Sequence, residues 1–380
     1  MSIIDSDIKA LVRAVEAPGL TLTQINGLLA ELVARVKLAV ARPEVKLRYE
    51  SYKLPRSEEK LQIMPLDERG YLRAFDILEE EAAFYQAWHQ YGIVASHSAV
   101  PVEVCEEAVA TAHRLTLALS NGGCDLSKPE TWQLLPRDKS GEPILTRGFF
   151  ELYHDRAMAA LRQAVRVYLH YVVIWGRAEL WSTFDRLGIK LPGHEESRAL
   201  PLHVDQNPNV HPDFRTVQGV LALRDCPAER GTFVGVPGSR QHFQAYGAMA
   251  KNSGEYVELD TASAVYGLLA PAAQACPLAQ GSLVSWDSRT THANSANLSA
   301  LTRYVAYIAA GPACPEDAEA IAARVEALKT GVGKNVRNAK MHASKPPRYT
   351  APEVLAAWRQ AENFTLLGEL VYGTRGYDSI

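Results

Sequence analysis

The feature that most constrains the fold is a change in sequence texture near residue 178. From there to about residue 310, the chain consists of short β-prone runs separated by Gly, Pro, Asn and Asp. The runs are ELWSTFDRL, LPLHVD, FRTVQGVLALR, GTFVGVP, GSLVSWD and TRYVAYIAA. Short strands at this spacing favour a sandwich or a barrel over repeated βαβ units.

Helical patterns flank this β-rich region on both sides. Thr21 and Gln24 have the spacing of a capping box, ahead of apolar residues at helical intervals. Further helices are predicted at 77–91, at 101–119, at 155–176, after Pro315 and near 352–361. The basic stretch 334–348 is interpreted as a solvated surface segment rather than a lid. The predicted order is helices, a β core, and helices.

Composition excludes several classes of protein. The 40 Lys and Arg residues nearly balance the 43 Asp and Glu residues, and no basic block stands out, so a nucleic-acid partner is not expected. The cysteines contain no CxxC pair and are interpreted as reduced core residues: Cys105, Cys124, Cys226, Cys276 and Cys314. Charges at Asp5, Asp7 and Lys9 interrupt any signal peptide, and no run is long enough to span a membrane. We expect a cytoplasmic protein without a membrane partner.

A possible metal site begins in the strand-like segment Leu202-His203-Val204-Asp205. Residues i and i+2 of a strand project to the same face, so His203 and Asp205 point together into the β core. His-x-Asp alone is a weak signal, but His292 follows another strand-like run and offers a third ligand. Two histidines and one carboxylate on one face of an ion leave open positions, which suits a non-haem Fe(II) oxygenase that uses a 2-oxo acid and O2.

Arg303 adds an anion site to this pattern. It lies in TRYVAYIAA, where the alternating faces are otherwise largely apolar. A buried guanidinium needs an anion, and its planar fork matches a carboxylate. Arg303 follows His292 by eleven positions, so the metal and anion sites are expected on neighbouring strands.

The residues that carry these features resemble a known family. HVDQNP, ERGTFVGVPGSRQHF, SLVSWDSRTTHAN and TRYVAYI are similar to the phytanoyl-CoA dioxygenase family of Fe(II)- and 2-oxoglutarate-dependent oxygenases. The resemblance covers about 175–310, with weaker similarity in AFYQAWHQYGIVA, ELYHDRAM and LWSTFDRLGIKLP. It implies a mainly β core folded as a double-stranded β-helix, the cupin-like jelly roll, within an α+β chain with N- and C-terminal helical additions.

The resemblance also implies roles for individual residues. His203, Asp205 and His292 would ligate Fe(II), Arg303 would hold the distal carboxylate of the cosubstrate 2-oxoglutarate, and Asn294 would assist. One departure is visible, because the family's Pro-Gly-Ser-His turn ends in Arg240 here. Related halogenases replace the carboxylate ligand with a small residue, so the presence of Asp205 disfavours halogenation.

Residues that contact the substrate are harder to predict, since in this fold they lie on loops and helical additions. The candidates are Arg186, Gln206, Asn207, Gln218 and Arg240, with Trp181 as an aromatic addition. Each is individually more typical of a structural role. Arg186 and Arg240 favour a carboxylate-bearing small molecule. Asp287 and Arg289 are predicted either to form a local ion pair near His292 or to place Arg289 as the cosubstrate anchor, with Arg303 preferred as anchor.

The sequence therefore predicts a hydroxylase that oxidises a C–H bond of a small molecule, such as a carboxylate-bearing metabolite, an amino acid or a natural-product intermediate, and releases succinate and CO2. Desaturation, cyclisation and epoxidation remain alternatives. Two other classes are a redox-inert cupin-like metal or small-molecule binding protein and a structural protein that uses its helical flanks. The oligomeric state stays open. The ligand spacing predicts one enlarged catalytic domain over 1–380, with a helical part at 1–175, the jelly-roll core at 176–310 and a helical extension at 311–380.

Overall fold

The computed structural model describes residues 2–53, 61–138, 140–194, 197–214, 216–251, 253–333 and 364–380. Its α-helices are α1 (Ser6–Val15), α2 (Leu22–Val40), α3 (Pro43–Lys53), α4 (Glu81–Tyr91), α5 (Val102–Leu119), α6 (Arg156–Arg162), α7 (Val165–Trp175), α8 (Ala264–Leu269), α9 (Ala318–Thr330) and a last helix at Leu366–Tyr372. Its strands are β1 (Ile93–Ser96), β2 (Phe149–Phe150), β3 (Leu180–Ser182), β4 (Leu187–Lys190), β5 (Leu200–Val204), β6 (Val217–Ala222), β7 (Phe233–Gly235), β8 (Val257–Glu258), β9 (Gln274–Cys276), β10 (Leu283–Asp287), β11 (His292–Asn294), β12 (Arg303–Tyr307) and β13 (Ala310–Pro312).

Two antiparallel sheets form the β core. One has six strands in the order β1-β10-β6-β12-β4-β2, and the other has five in the order β8-β5-β11-β7-β9. Strands β3 and β13 pair separately. This is the jelly-roll architecture that the sequence predicts, with helices before and after it, so the predicted fold class is confirmed.

Strand alternation separates an inner face from an outer face in each sheet. On β12, Val305 packs between the sheets with Phe233 and Trp286, whereas Tyr304 and Ala306 face the helices. On the five-stranded sheet, Leu202, Val204 and Ala293 belong to a separate outer cluster. His203 and His292 alternate with these residues along their strands, and Arg303 alternates with Tyr304 on β12. All three side chains consequently lie on the inner faces.

Helices cover the outer face of the six-stranded sheet. The buried apolar residues of α1, α2, α4, α5 and α7 form one cluster with outward-facing residues of that sheet. Thr21 and Gln24 form both hydrogen bonds of a capping box at the start of α2, as the sequence predicts. Among the described helices, none is long and apolar enough to cross a bilayer.

Several predicted helices need correction. The segment predicted as one helix at 155–176 is two helices, because the backbone at Ala164 is extended. At this break, Gln163 Oε1 accepts hydrogen bonds from the Thr365 backbone amide at 2.9 Å and the Thr365 hydroxyl at 2.8 Å. The helix predicted from residue 77 begins only at Glu81, since Glu80 bonds back to the Asp76 amide in the preceding turn. Helix α5 matches its predicted bounds closely. The helix predicted near 352–361 and the basic stretch 334–348 lie outside the described residues.

Candidate metal centre

The sheet register brings the two candidate histidines together. His292 on β11 lies directly opposite His203 on β5, and their ring centroids are 4.2 Å apart. Asp205 follows β5, with its Oδ2 3.4 Å from His292 Nε2 and 3.8 Å from His203 Nε2. Opposed residues of an antiparallel pair project to one face, which explains why residues 89 positions apart in the chain meet.

Backbone carbonyls orient both imidazoles in the same way. His203 Nδ1 lies 2.7 Å from the Pro201 carbonyl oxygen, and His292 Nδ1 lies 3.0 Å from that of Thr290. A carbonyl oxygen only accepts, so each bonded Nδ1 carries a hydrogen and Nε2 is the ring nitrogen that faces the site. Metal-ligating histidines are commonly fixed by such a bond from the other ring nitrogen.

Gln218 on β6 holds the carboxylate of the triad. Its Nε2 donates to Asp205 Oδ2 at 2.8 Å, and its Oε1 accepts from Trp286 Nε1 at 2.9 Å. Trp286 lies 5.1 Å from the ring of His292, and Phe233 stacks on Trp286 at 4.3 Å. Gln218, a predicted substrate residue, is therefore in contact with the triad and is oriented by an aromatic wall.

Arg303 is buried without an anionic partner in the part of the chain that the structure describes. Its residue is 1% exposed, and Nε and Nη1 are buried with no hydrogen-bond partner. Its third nitrogen, Nη2, makes only a long contact of 3.4 Å with Asn294 Oδ1. A buried guanidinium without hydrogen-bond partners is unfavourable, so the site fits an anionic group of a ligand that binds in the cavity beside it.

Asp287 and Arg289 form the predicted local ion pair. Arg289 Nη2 lies 2.7 Å from Asp287 Oδ2, and Nε lies 3.0 Å from Oδ1. Burial would raise the pKa of Asp287, but Arg289 outweighs burial and lowers it. Because Arg289 is matched to this carboxylate, the structure supports Arg303 rather than Arg289 as the anion anchor.

Other predicted substrate residues have structural contacts. Gln206 Nε2 donates to the His211 carbonyl at 2.7 Å, and Asn207 Nδ2 donates to that of Gly254 at 3.0 Å. Arg240 Nη2 donates to the His89 carbonyl at 2.6 Å, and its guanidinium lies 4.4 Å from the Tyr52 ring. These contacts give each side chain a role in holding loops, and their substrate roles stay predictions.

Arg186 lies between two carboxylates. Its Nε is 3.4 Å from Asp185 Oδ1, and its Nη1 is 3.9 Å from Glu151 Oε1. Burial raises the pKa of Asp185, against the opposing effect of Arg186. Together with Gln218 and Trp286, Asp185 and Arg186 line a small cavity of about 50 Å³.

A larger cavity of about 320 Å³ lies near His203. Its lining includes Pro201, whose carbonyl bonds His203, and Tyr256, whose ring lies 4.8 Å from that of His203. Asn294 also lines it, which places the cavity beside Arg303. Phe149 and Tyr307 line both cavities, so the two spaces adjoin.

Sequence reasoning missed the cations of this cavity, of which Lys190 is the buried one. Lys190, at the end of β4, is buried and lines the larger cavity. The segment LGIK is otherwise apolar or small, so the reasoning that selected Arg303, a lone cation in an apolar strand, would also have selected Lys190. The strand pairing places it opposite Arg303.

The donor set fits Fe(II). His203, Asp205 and His292 offer two imidazole nitrogens and one carboxylate oxygen that lie within 4.8 Å of one another. Within the described ranges, no other group of three or more His, Cys, Asp or Glu side chains meets this condition. Two nitrogens and one oxygen leave coordination positions open for a 2-oxo acid and O2. The fold and the triad thus fit a non-haem iron enzyme of the oxygenase type.

Comparison with known families agrees with this class. The profile of the phytanoyl-CoA dioxygenase (PhyH) family matches residues 88–305, more than half of the chain. The chain belongs to the phytanoyl-CoA dioxygenase family. The comparison with curated proteins found no match.

Several solved structures are similar to this chain at low sequence identity, and the first of them shares its fold. A hypothetical protein of Escherichia coli, JW0805, is 16% identical with a TM-score of 0.55, and the match covers 96% of this chain and 95% of that one. The epimerase SnoN, crystallised with Fe3+, alpha ketoglutarate and nogalamycin RO, is 17% identical with a TM-score of 0.43 over 61% of this chain and 84% of its own. AviO1 of Streptomyces viridochromogenes Tue57 is 21% identical with a TM-score of 0.42 over 62% of this chain and 96% of its own.

Proposed function

We propose that this protein is an Fe(II)- and 2-oxoglutarate-dependent dioxygenase that hydroxylates a C–H bond of a small molecule. The reaction joins substrate, 2-oxoglutarate and O2 to give hydroxylated substrate, succinate and CO2. One oxygen atom enters the substrate and the other enters succinate. Bound Fe(II) supplies the activation of O2 that this oxidation needs.

One observation carries the proposal above the others. A triad with both imidazoles set to present Nε2 lies beside a buried guanidinium that has two nitrogens without partners. A purely structural metal site would not need the buried cation. A molecule with a chelating 2-oxo acid end and a distal carboxylate satisfies both halves of this arrangement.

The chain's own residues have separate tasks in this proposal. His203, Asp205 and His292 hold the metal, and Gln218 keeps one carboxylate oxygen of Asp205 oriented through its 2.8 Å hydrogen bond. Arg303 binds the distal carboxylate of 2-oxoglutarate, with Asn294 at 3.4 Å from its Nη2. The aromatic side chains beside His292 exclude water from one side of the centre.

The charges of the cavities bear on the substrate. Arg186 and Arg240, which suggested an acidic group, have the contacts described above and no longer support it. Arg147 and Arg198 line the larger cavity and are exposed at its rim, so they favour a carboxylate there. In the smaller cavity, Asp185 and Arg186 face each other, so this pair favours neither sign of charge in a ligand. Among the predicted substrates, this distribution supports a carboxylate-bearing small molecule, a class that includes amino acids.

The first experiment is anaerobic addition of Fe(II) and 2-oxoglutarate, followed by visible absorption spectroscopy. The wild-type protein should show the weak charge-transfer band of the chelate. Asp205→Ala and His292→Ala should lose it, and Asp213→Ala, which removes an exposed carboxylate from the same region, should keep it. Stoichiometric zinc with no band and no succinate release would instead favour the redox-inert binding protein.

The second experiment identifies the substrate class. Amino acids and other small carboxylic acids are screened for stimulation of succinate formation, with mass detection of the oxidised product. We expect stimulation by compounds that carry a carboxylate. A product that gains one oxygen atom indicates hydroxylation, whereas loss of two hydrogens indicates desaturation.

A further inference from the structure

Lys190 and Arg303 are two buried cations placed directly across from each other. They are register partners in the antiparallel pair of β4 and β12, and they are 3% and 1% exposed. Side chains of directly opposed residues project to the same face with Cβ atoms about 5 Å apart. Two like charges at this position repel each other unless a shared anion lies between or beside them.

The path of the Lys190 side chain is fixed by two glycines. A Cβ at Gly148 would lie 2.9 Å from Lys190 Cγ, and a Cβ at Gly231 would lie 3.1 Å from its Cδ. Both glycines have positive φ, of 76° and 80°, which disfavours a side chain at either position. The aliphatic part of the Lys190 side chain therefore runs through a narrow slot between these glycines, in which few other rotamers fit.

Beyond this slot the ammonium reaches the larger cavity. Its Nζ donates to the Ser295 carbonyl at 2.7 Å and to the Arg198 carbonyl at 3.0 Å. An ammonium has three N–H donors, so one is left for a ligand in the cavity that Lys190 lines. Neutral carbonyls orient the charge without neutralising it.

The electrostatic environment of Lys190 is strongly cationic. Burial, followed by repulsion from Arg303, lowers its pKa to about 7, and the Cys226 thiol opposes this weakly. The titratable and charged side chains that face it across the cavity are Arg147, Arg198, Tyr256, Glu258 and Tyr307. Glu258 is the one carboxylate in that lining, so the cations outnumber the anions around the space where a ligand would bind.

We propose that Lys190 is a second cationic contact for the distal carboxylate of 2-oxoglutarate, acting beside Arg303. This inference rests on the proposed function. Arg303 supplies a planar fork and Lys190 a point charge, and together they select a dicarboxylate over a 2-oxo acid that ends in a methyl group. Binding of the carboxylate restores a proton to Lys190 when the solution is above neutral pH.

The first test needs no variant. Calorimetry of metal-loaded protein under anaerobic conditions compares 2-oxoglutarate with 2-oxovalerate, which has the same chain length but no distal carboxylate. Between pH 7 and 8.5 the affinity for 2-oxoglutarate should fall by up to about tenfold per pH unit, because one proton is taken up on binding. Heats measured in buffers of different ionisation enthalpy should show that uptake, and 2-oxovalerate should show neither effect.

The second test removes the cation. Lys190→Met should weaken 2-oxoglutarate binding at pH 6.5 by about tenfold or more, leave 2-oxovalerate binding unchanged and abolish the proton uptake. Lys251→Met, which removes an exposed lysine, is the matched control and should behave as wild type. Thermal denaturation of each variant shows whether it is folded, and the wild-type proton uptake decides the question if Lys190→Met does not fold.

The outcomes separate this inference from the function on which it rests. Failure of the wild-type protein to bind 2-oxoglutarate would overturn both. Binding with equal affinity in Lys190→Met, or the same pH dependence for 2-oxovalerate, would overturn the role of Lys190 and leave the oxygenase proposal standing.

Discussion

Replacing Arg303 with methionine should make the ligand-free protein more stable. Arg303 is 1% exposed, and two of its nitrogens are buried without a partner. Each unsatisfied buried polar group costs about 1–3 kcal/mol, and methionine preserves much of the side-chain volume without that cost. Taking the lower value for each nitrogen, we expect Arg303→Met to raise the free energy of unfolding by about 2 kcal/mol.

The expected shift in Tm follows from the size of the chain. At about 2.1 cal/mol/K per residue, 380 residues have an unfolding entropy of about 0.8 kcal/mol/K, so 2 kcal/mol corresponds to about 2.5 °C. With metal present, 2-oxoglutarate at 100 times its Kd should stabilise the wild-type protein by about 2.7 kcal/mol, or about 3 °C. The variant should gain little from the same addition. Differential scanning calorimetry gives the four Tm values needed, one for each of the two proteins with and without 2-oxoglutarate.

Arg324 provides a matched control of opposite sign. It is fully buried, but its guanidinium donates to the carbonyls of Tyr372 at 2.9 Å and Ser182 at 2.8 Å. Arg324→Met would leave these carbonyls without their donor, so it should lower Tm. If Arg303→Met lowers Tm to a similar degree, or if the variant keeps the stabilisation by 2-oxoglutarate, the reasoning about an unsatisfied anion site is refuted.

Three further predictions concern the surroundings of the site. Gln218→Leu removes the hydrogen bond to Asp205 and should weaken Co(II) or Fe(II) binding about 10–100-fold, as measured by metal titration. Gly219→Ala places a Cβ against the Tyr171 hydroxyl and should markedly lower the free energy of unfolding in urea. Burial lowers the pKa of His170 to about 3, so below about pH 6.5 the unfolded state binds more protons than the folded state and the free energy of unfolding falls on acidification. His170→Gln should reduce the slope of the free energy of unfolding against pH by up to about 1.4 kcal/mol per pH unit between pH 6 and 5.

Each of these changes has a control at a less constrained position. Gln86→Leu alters an exposed glutamine and should leave metal affinity unchanged. Gly27→Ala, on a helix and with nothing within 4 Å of the added Cβ, should stabilise the protein rather than destabilise it. For His170 the control is a pH range instead: between pH 7.5 and 8.5 neither the folded nor the unfolded state protonates this side chain, so His170→Gln and the wild-type protein should have the same slope. Equal effects in a control and its test variant would contradict the corresponding explanation.

The sequence was informative where a local rule acts over a few residues. Two-residue alternation was enough to place His203 and Asp205 on one face, and a cation within an apolar strand was enough to single out Arg303. Helix α5 could be bounded because Pro101 and Gly122 flank it. These patterns depend on neighbours in the chain, so they are visible before the fold is known.

The sequence was uninformative where a contact depends on sheet register or on distant segments. Gln218 reaches Asp205 only because β6 lies in the opposite sheet, and its partner cannot be inferred from its own strand. At the break between α6 and α7, Gln163 accepts a hydrogen bond from Thr365, which is about 200 residues away in the chain. Strands of two or three residues, such as β8 and β11, are too short to show a period.

The division of the site between two sheets has a mechanical consequence. The metal ligands belong to the five-stranded sheet and the turn after β5, whereas Arg303 and Lys190 belong to neighbouring strands of the six-stranded sheet. A molecule held by the triad at one end and by the two cations at the other would act as a reversible, non-covalent cross-link between the two sheets. Its binding and release would change how strongly the two sheets are held against each other. Substitutions in the apolar core between the sheets should therefore alter cosubstrate affinity without touching the cosubstrate.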